Sequence, residues 1–337
     1  MPELRQNPAT RFWVVIAKER SRRPHNFIQI KPAMSTEPYV AACPFCEGNE
    51  HLTPPETLAY RRGGQSNGPG WWVRAVPNKF AAFVSEGDLE RQHDGVNFFH
   101  RMDAVGHHEV IIESNKHNEH LFLMDDWHVQ EVVLAYLERY QILHIDPRCK
   151  FIIIFKNHGL SAGTSLEHPH SQLVATPIVP TDIRIRFDRA AYYYDDTGKC
   201  VYCDIIREEK QGGERVILET DKFIAVHPFA SQVPFETWIM PKEHSASFGL
   251  ITMEDAKAFA VILKTVLKKQ YIGLHNPDFN YIIHTAPVKD EHEDYFHWHL
   301  QIRPRLTTAA GFEMGTGIYI NTAIPEETAQ FMRSVQV

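Results

Sequence analysis

The chain has 337 residues, 43% of them hydrophobic and 23% charged, which fits a globular enzyme of one large or two ordinary domains. Its net charge of -7 does not favour nucleic acid or an anionic membrane, and no apolar run approaches the ~20 residues of a membrane span. The N-terminus, Met1-Pro2-Glu3-Leu4-Arg5-Gln6-Asn7, is polar and lacks an apolar signal core, so the cytoplasm is the expected location.

Taken in order, the elements describe one unit twice. The first copy opens with Cys43-Pro44-Phe45-Cys46 and continues through Asn78 to Phe83 and the strand-like 109–113. His117, a helix from about Asp125 to Ile142, an apolar strand over 151–155 and His168-Pro169-His170-Ser171-Gln172 follow. The second copy opens with Cys200-Val201-Tyr202-Cys203 and continues through 221–226 and the strand-like 236–240. It then has His244, a helix from about Met253 to Tyr271, a strand over 281–284 and His297-Trp298-His299-Leu300-Gln301. His117 and His168 are 51 positions apart and His244 and His297 are 53 apart, so order and spacing both argue for an internal duplication. Strands outnumber helices, and each unit has one long amphipathic helix. The expected fold is α+β, a mainly antiparallel sheet backed by helices, with units at 1–177 and 178–337. The stretch from Thr176 to Lys199 reads as the crossover between units, and Arg61 to Gly70, with four glycines, as a flexible loop.

Four of the five cysteines form the two Cys-x-x-Cys pairs, which in a cytosolic chain points to metal or redox work rather than disulfides. The duplicated histidines favour metal. Cys43, Cys46, His117 and His168 form one tetrahedral set, and Cys200, Cys203, His244 and His297 the other. Both are expected to be closed structural zinc sites, with thiolate and imidazole ligands favouring zinc over iron. Cys149 is left as a buried free thiol.

Between the strand at 151–155 and the His-Pro-His-Ser-Gln run lies a loop rich in glycine, serine and threonine. Its backbone N–H groups, near Gly163, and the side chains of Thr164 and Ser165 are suited to cradle phosphate. In an extended segment His168, His170 and Gln172 point to one side. With His168 on a metal, His170 is held as a neutral imidazole nucleophile toward phosphorus, and Gln172 can donate to a phosphoryl oxygen. The second unit has His299 and Gln301 at the matching places. Its upstream segment, 285–294, is acidic and would repel phosphate, so His299 reads as a relic or structural residue.

These residues resemble the galactose-1-phosphate uridylyltransferases and their relatives in the histidine-triad superfamily. The likeness covers nearly the whole chain: Arg20-Ser21-Arg22-Arg23-Pro24, Cys43-Pro44-Phe45-Cys46, Asn78, the run from Asn157 to Gln172, Pro234-Phe235-Glu236-Thr237, Pro241-Lys242-Glu243-His244 and His297-Trp298. The resemblance implies two fused histidine-triad-like units, a nucleotidyl-histidine intermediate and a homodimer. It implies that His170 is the nucleophile and that Gln172 steadies the bound nucleotidyl group. Ser165 and Asn157 would contact phosphate, with Asn78 and Arg20 or Arg23 near the nucleotide or phosphates. Where some of these relatives build an iron site, this chain has Gln301 and Arg303, so a second zinc is expected in its place. The late segment that contacts the sugar phosphate, which would include Phe312, reads Gly311-Phe312-Glu313-Met314-Gly315-Thr316-Gly317, a spelling similar to an ADP-glucose phosphorylase branch.

The expected reaction is a ping-pong transfer in galactose metabolism. UDP-glucose would uridylylate His170, and galactose 1-phosphate would collect the group. The alternative keeps the intermediate but uses ADP-glucose and inorganic phosphate. A third reading, a zinc-stabilised nucleotide-binding protein without turnover, is disfavoured by the intact run from Asn157 to Gln172. No nucleic-acid or membrane partner is expected.

Overall fold

The computed structural model describes residues 1–18, 27, 35–93, 95 and 98–337. In chain order the strands and helices of the first half are β1 (Glu3–Gln6), β2 (Trp13–Ile16), β3 (Leu58–Arg61), β4 (Trp71–Pro77), β5 (Gln92–His93), β6 (His100–Arg101), β7 (His107–Ile112), α1 (Asp126–His144), β8 (Phe151–His158) and β9 (His170–Thr176). The chain then forms α2 (Thr181–Thr197), α3 (Val201–Gly212), β10 (Val216–Glu219), β11 (Phe223–Val226), β12 (Thr237–Pro241), α4 (Met253–Gly273), β13 (Phe279–His284), β14 (His299–Pro304), α5 (Gly311–Thr316), β15 (Tyr319–Asn321) and α6 (Pro325–Ser334). No helix among the described residues is long and apolar enough to cross a membrane.

Ten strands form one sheet in the order β10-β11-β12-β14-β13-β8-β9-β7-β4-β3, and every neighbouring pair is antiparallel. From the two edges inward the order is the same, so the duplication is visible as two five-stranded halves joined at the β8–β13 seam. Phe155 lies opposite Gln172 in the first half, Ile282 opposite Gln301 in the second, and Phe155 and Ile282 lie opposite each other across the seam. A pseudo-two-fold axis therefore passes between those two residues. The equivalent helices α1 and α4 pack together over the seam.

Alternation in β8 explains how the seam is filled. Ile152, Ile154, Lys156 and His158 are buried on the face that the helices cover, and α1 meets them with Val129, Val133, Tyr136 and Tyr140. Each such large apolar side chain contributes about 1.5–3 kcal/mol when withdrawn from water. Thr252 caps α4 by accepting from the Asp255 N–H, and the Asp255 carboxylate accepts from the Thr252 N–H in return.

The stretch from Thr176 to Lys199, expected as the crossover between the units, is mostly one helix, α2, and α3 follows it at the start of the second unit. Pro180 directly precedes α2, where its missing N–H costs nothing, and Ile183, Phe187 and Ala190 give the helix a buried stripe at helical spacing. The first strands lie with the end of the chain: β2 pairs with β1 on one side and, in parallel, with β15 on the other. Arg5 ties this small sheet to Glu326 on α6 at 2.9 Å.

His227, just after β11, is wholly buried, and its Nδ1–H donates to Thr328 Oγ1 at 2.7 Å. Burial pushes its pKa down to about 3. The unfolded imidazole takes up a proton near pH ~6.5, so below that pH the unfolded chain binds more protons than the folded one. Stability is expected to fall as pH drops below about 6.5, and His227→Asn, which keeps a donor for Thr328, should flatten the slope. Thermal melts of both proteins between neutral and mildly acidic pH check this; equal slopes would remove His227 from the account.

Candidate active site

The first Cys–His cluster is assembled from three places in the sheet and its loops. Cys43 and Cys46 sit on a turn closed by the Cys46 N–H to the Cys43 carbonyl, which also accepts from the Asn49 amide at 2.8 Å. His117 follows β7, and His168 lies two residues before β9. Cys43 Sγ is 3.7 Å and Cys46 Sγ 3.6 Å from His168 Nδ1, and Cys46 Sγ is 3.6 Å from His117 Nδ1. Ligands at ordinary zinc–sulfur and zinc–nitrogen distances are roughly 3.5 Å apart in a tetrahedron, so these four side chains are arranged as a ligand shell. The far nitrogen of His168 donates to the Ser114 carbonyl at 2.8 Å, which fixes Nδ1 as the coordinating atom.

The second cluster brings together Cys200, Cys203, His244 and His297, with Cys203 Sγ 3.4 Å from His244 Nδ1 and 3.6 Å from His297 Nδ1. Here His297 Nε2 donates to the Pro241 carbonyl at 2.9 Å. The two thiol pairs are held differently. Cys200 is the N-cap of α3 and Cys203 lies in its first turn, whereas Cys43 and Cys46 lie on an irregular turn. All four residues of the first cluster are buried, while Cys203 and His244 of the second are half-buried. Each cluster has the donor set to hold a metal ion.

His168 connects the first cluster to His170. The His168 carbonyl accepts from His170 Nδ1–H at 2.8 Å, which leaves the Nε2 of His170 as a lone pair. Burial lowers the His170 pKa, so the neutral ring is favoured. The ring packs edge-on against Phe45 at 5.4 Å, and the His170 carbonyl accepts from Lys156 Nζ at 3.0 Å.

Next to His170 is a cavity of about 470 Å³ whose lining includes Asn157, Gly159, Thr164, Ser165 and His120. The loop over it depends on two glycines with positive φ, Gly159 at 84° and Gly163 at 87°. A Cβ on Gly159 would strike Asp278, whose carboxylate instead accepts from the Ser161 N–H at 2.8 Å. Thr164 Oγ1 donates to the Asn157 carbonyl at 3.0 Å. The Asn157 amide oxygen accepts from Asn280, on β13 of the other half, at 2.8 Å, so the Asn157 side-chain NH₂ is not consumed by that contact.

The expected site residues are thus distributed in three ways. His170, Asn157, Thr164 and Ser165 share the cavity. Gly163 shapes its loop, while Gln172 and Asn78 meet each other beside it, Asn78 Nδ2 donating to Gln172 Oε1 at 3.5 Å. Phe312 is apart from them: it is half exposed on α5 and does not line the cavity. Arg20 and Arg23 lie outside the described residues. His299, at the place of His170, is completely enclosed, with its ring against Trp238 at 4.7 Å.

Two participants were not anticipated from the sequence. His108 on β7 accepts from the Ala82 N–H at Nδ1 (3.1 Å) and donates from Nε2 to Gln172 Oε1 (2.7 Å). Lys156 forms a buried ion pair with Glu113 at 2.6 Å. The signal for Lys156 was its place in β8, where alternation with Ile152 and Ile154 turns it inward.

The molecule is therefore an α+β protein of two equivalent units, with a Cys–Cys–His–His cluster in each and a histidine-centred cavity in the first. The chain belongs to the galactose-1-phosphate uridyl transferase family, matching its N-terminal domain over residues 1–180 and its C-terminal domain over 186–329, and is a nucleotidyltransferase by family. It is 36% identical to an ADP-glucose phosphorylase of Arabidopsis thaliana over 340 residues, covering 100% of this chain and 93% of that one. It is 29% identical to a galactose-1-phosphate uridylyltransferase of Thermotoga maritima over 351 residues, covering 100% and 99%. The crystal structure of an Arabidopsis thaliana ADP-glucose phosphorylase with bound ADP-glucose superposes with a TM-score of 0.83 at 33% identity, covering 100% of this chain and 99% of that one.

Proposed function

We propose that the protein moves a nucleoside monophosphate between phosphate acceptors through a covalent adduct on His170. The observation that carries this reading is the His170 ring beside the cavity, its Nδ1–H committed to the His168 carbonyl and its Nε2 left as a lone pair. That nitrogen attacks the α-phosphorus of a nucleotide sugar; the P–O bond to the β-phosphate breaks, and hexose 1-phosphate leaves. An acceptor phosphate oxygen then attacks the same phosphorus, the P–N bond breaks, and His170 returns to its starting state. Asn157, Thr164, Ser165 and the N–H groups around Gly163 hold the phosphates. Gln172 donates to the phosphoryl oxygen as charge builds there. Asn78 and Arg20 or Arg23 would lie near the nucleotide or its phosphates, as the resemblance implies.

UDP-glucose as donor and galactose 1-phosphate as acceptor is the reading from the family as a whole. The identity of 36% to an ADP-glucose phosphorylase favours a second reading, with ADP-glucose as donor and inorganic phosphate as acceptor. Incubation with UDP-glucose or ADP-glucose labelled at the α-phosphate separates them: acid-labile label on the protein from one donor identifies the base, and no label from either overturns the covalent mechanism. A cytoplasmic homodimer belongs to the same proposal. Because Phe312 stands off the cavity of its own chain, its contact with the sugar phosphate would come from a second copy.

Zinc is the metal this reading places in both clusters, as structural ions that tie loops to the sheet. The more exposed second cluster should lose its metal to a chelator first, and the buried first cluster only later. Metal content followed against time should show two phases, with Cys203→Ser removing the fast one; release in a single phase would contradict the difference in exposure.

A further inference from the structure

The duplication allows the surroundings of the two glutamines to be compared within one molecule. Val110 lies opposite Gln172 across β7 and β9, and Trp238 lies opposite Gln301 across β12 and β14. Two residues earlier, His108 in the first half therefore corresponds to Glu236 in the second.

The two residues present opposite hydrogen-bonding character to the same amide. At His108, a main-chain N–H can only donate, so the Ala82 contact leaves a lone pair on Nδ1 and puts the proton on Nε2. The group of Gln172 that faces Nε2 must then accept, which places Oε1 there at 2.7 Å and turns the amide NH₂ away from His108. That NH₂ makes no hydrogen bond among the described residues, and Gln172 projects from the same face of β9 as His170. The amide nitrogen of Asn78 is 3.0 Å from the same His108 nitrogen and is anchored by its own Oδ1, which accepts from the Phe80 N–H.

In the second half both ends of the amide are engaged. Gln301 donates to the Glu236 carboxylate at 2.7 Å and accepts from His284 Nε2 at 2.9 Å. Glu236 is itself fixed by donors from Trp238 Nε1 at 2.9 Å and the Gln232 N–H at 2.6 Å. A carboxylate at this place draws the NH₂ toward itself and leaves the oxygen facing His284.

We propose that His108 is a positioning residue that decides which end of the Gln172 amide meets the phosphoryl group, and that a donor rather than an acceptor at this place separates the catalytic half from the silent one. The proposal rests on the reading that Gln172 donates to a phosphoryl group carried by His170. A preset donor needs no reorganisation when charge develops, and loss of one such donor costs about 10²–10³ in rate.

The test is the single-turnover rate of nucleotidyl-His170 formation in the wild type, His108→Glu, His108→Leu and His108→Gln. The glutamate reproduces the second half, the leucine removes the donor without adding charge, and the glutamine keeps a donor at similar reach. Labelling is expected to slow about 100-fold in the glutamate and leucine variants, with donor affinity within about threefold of the wild type, and to stay within about tenfold in the glutamine variant. Thermal melts show which variants are folded; the leucine variant carries the test if the buried carboxylate prevents folding. Wild-type rates in His108→Leu, or equal losses in His108→Leu and His108→Gln, overturn the proposal alone. A wild-type protein that takes no label from either donor overturns the functional reading, and this proposal with it.

Discussion

Replacing His170 by asparagine is expected to abolish covalent labelling and to lower turnover on the order of 10⁴-fold or more, because the proposed intermediate forms on the His170 Nε2, beside the cavity. His120 and His158 also lie along that cavity, but neither ring is set up as the His170 ring is. His158 Nε2 is engaged by Asn276 at 3.0 Å, and both nitrogens of His120 are shut away from solvent. The variant should still fold and bind as much metal as the wild type, since His170→Asn alters neither Cys–Cys–His–His set. The decisive comparison is metal content and melting temperature beside labelling. An asparagine variant that still turns over at a measurable fraction of the wild-type rate would move the nucleophile elsewhere.

The second large effect is on stability. Lys156 and Glu113 form an ion pair at 2.6 Å with both side chains almost completely buried. Burial lowers the Lys156 pKa while Glu113 opposes the shift, and the ammonium is used twice, on Glu113 and on the His170 carbonyl at 3.0 Å. Glu113 in turn accepts from Tyr136 Oη at 3.0 Å and from Ser171 Oγ, and Tyr136 is 2.7 Å from Tyr281 of the other half. Lys156→Met would strand the Glu113 carboxylate and is expected to cost about 3–5 kcal/mol, as breaking one side of a buried pair does. Adding Glu113→Gln removes the stranded charge yet keeps an acceptor for Tyr136 and Ser171, so the double variant should regain more than half of the loss. Denaturant titrations of the two single variants and the double variant give the coupling directly. A Lys156→Met protein as stable as the wild type would mean that the pair contributes nothing net.

Much of this was legible in the residues. Repeated order and spacing located the two Cys–Cys–His–His sets, and the strand at 151–155 with its small-residue loop located His170 and the cavity. The long helices were placed within about two residues of α1 and α4, because their apolar faces repeat at helical spacing. Helix α2 escaped because its stripe of Ile183, Phe187 and Ala190 is embedded among charges and tyrosines, and because Pro177 and Pro180 read as loop signals. His108 escaped for a different reason. Its role depends on a main-chain N–H from Ala82 and on a strand pairing with β9, and neither contact leaves a mark in local composition.

The β8–β13 seam has a consequence for how the two halves have been able to diverge. Each half covers what would otherwise be the other's exposed edge, and covalent linkage presents that edge at a high effective concentration. The C-terminal half, with His299 enclosed and both ends of the Gln301 amide engaged, is therefore needed for the first half's sheet whether or not it does chemistry of its own. Removing it would bare the β8 edge of the first half to pairing with other chains.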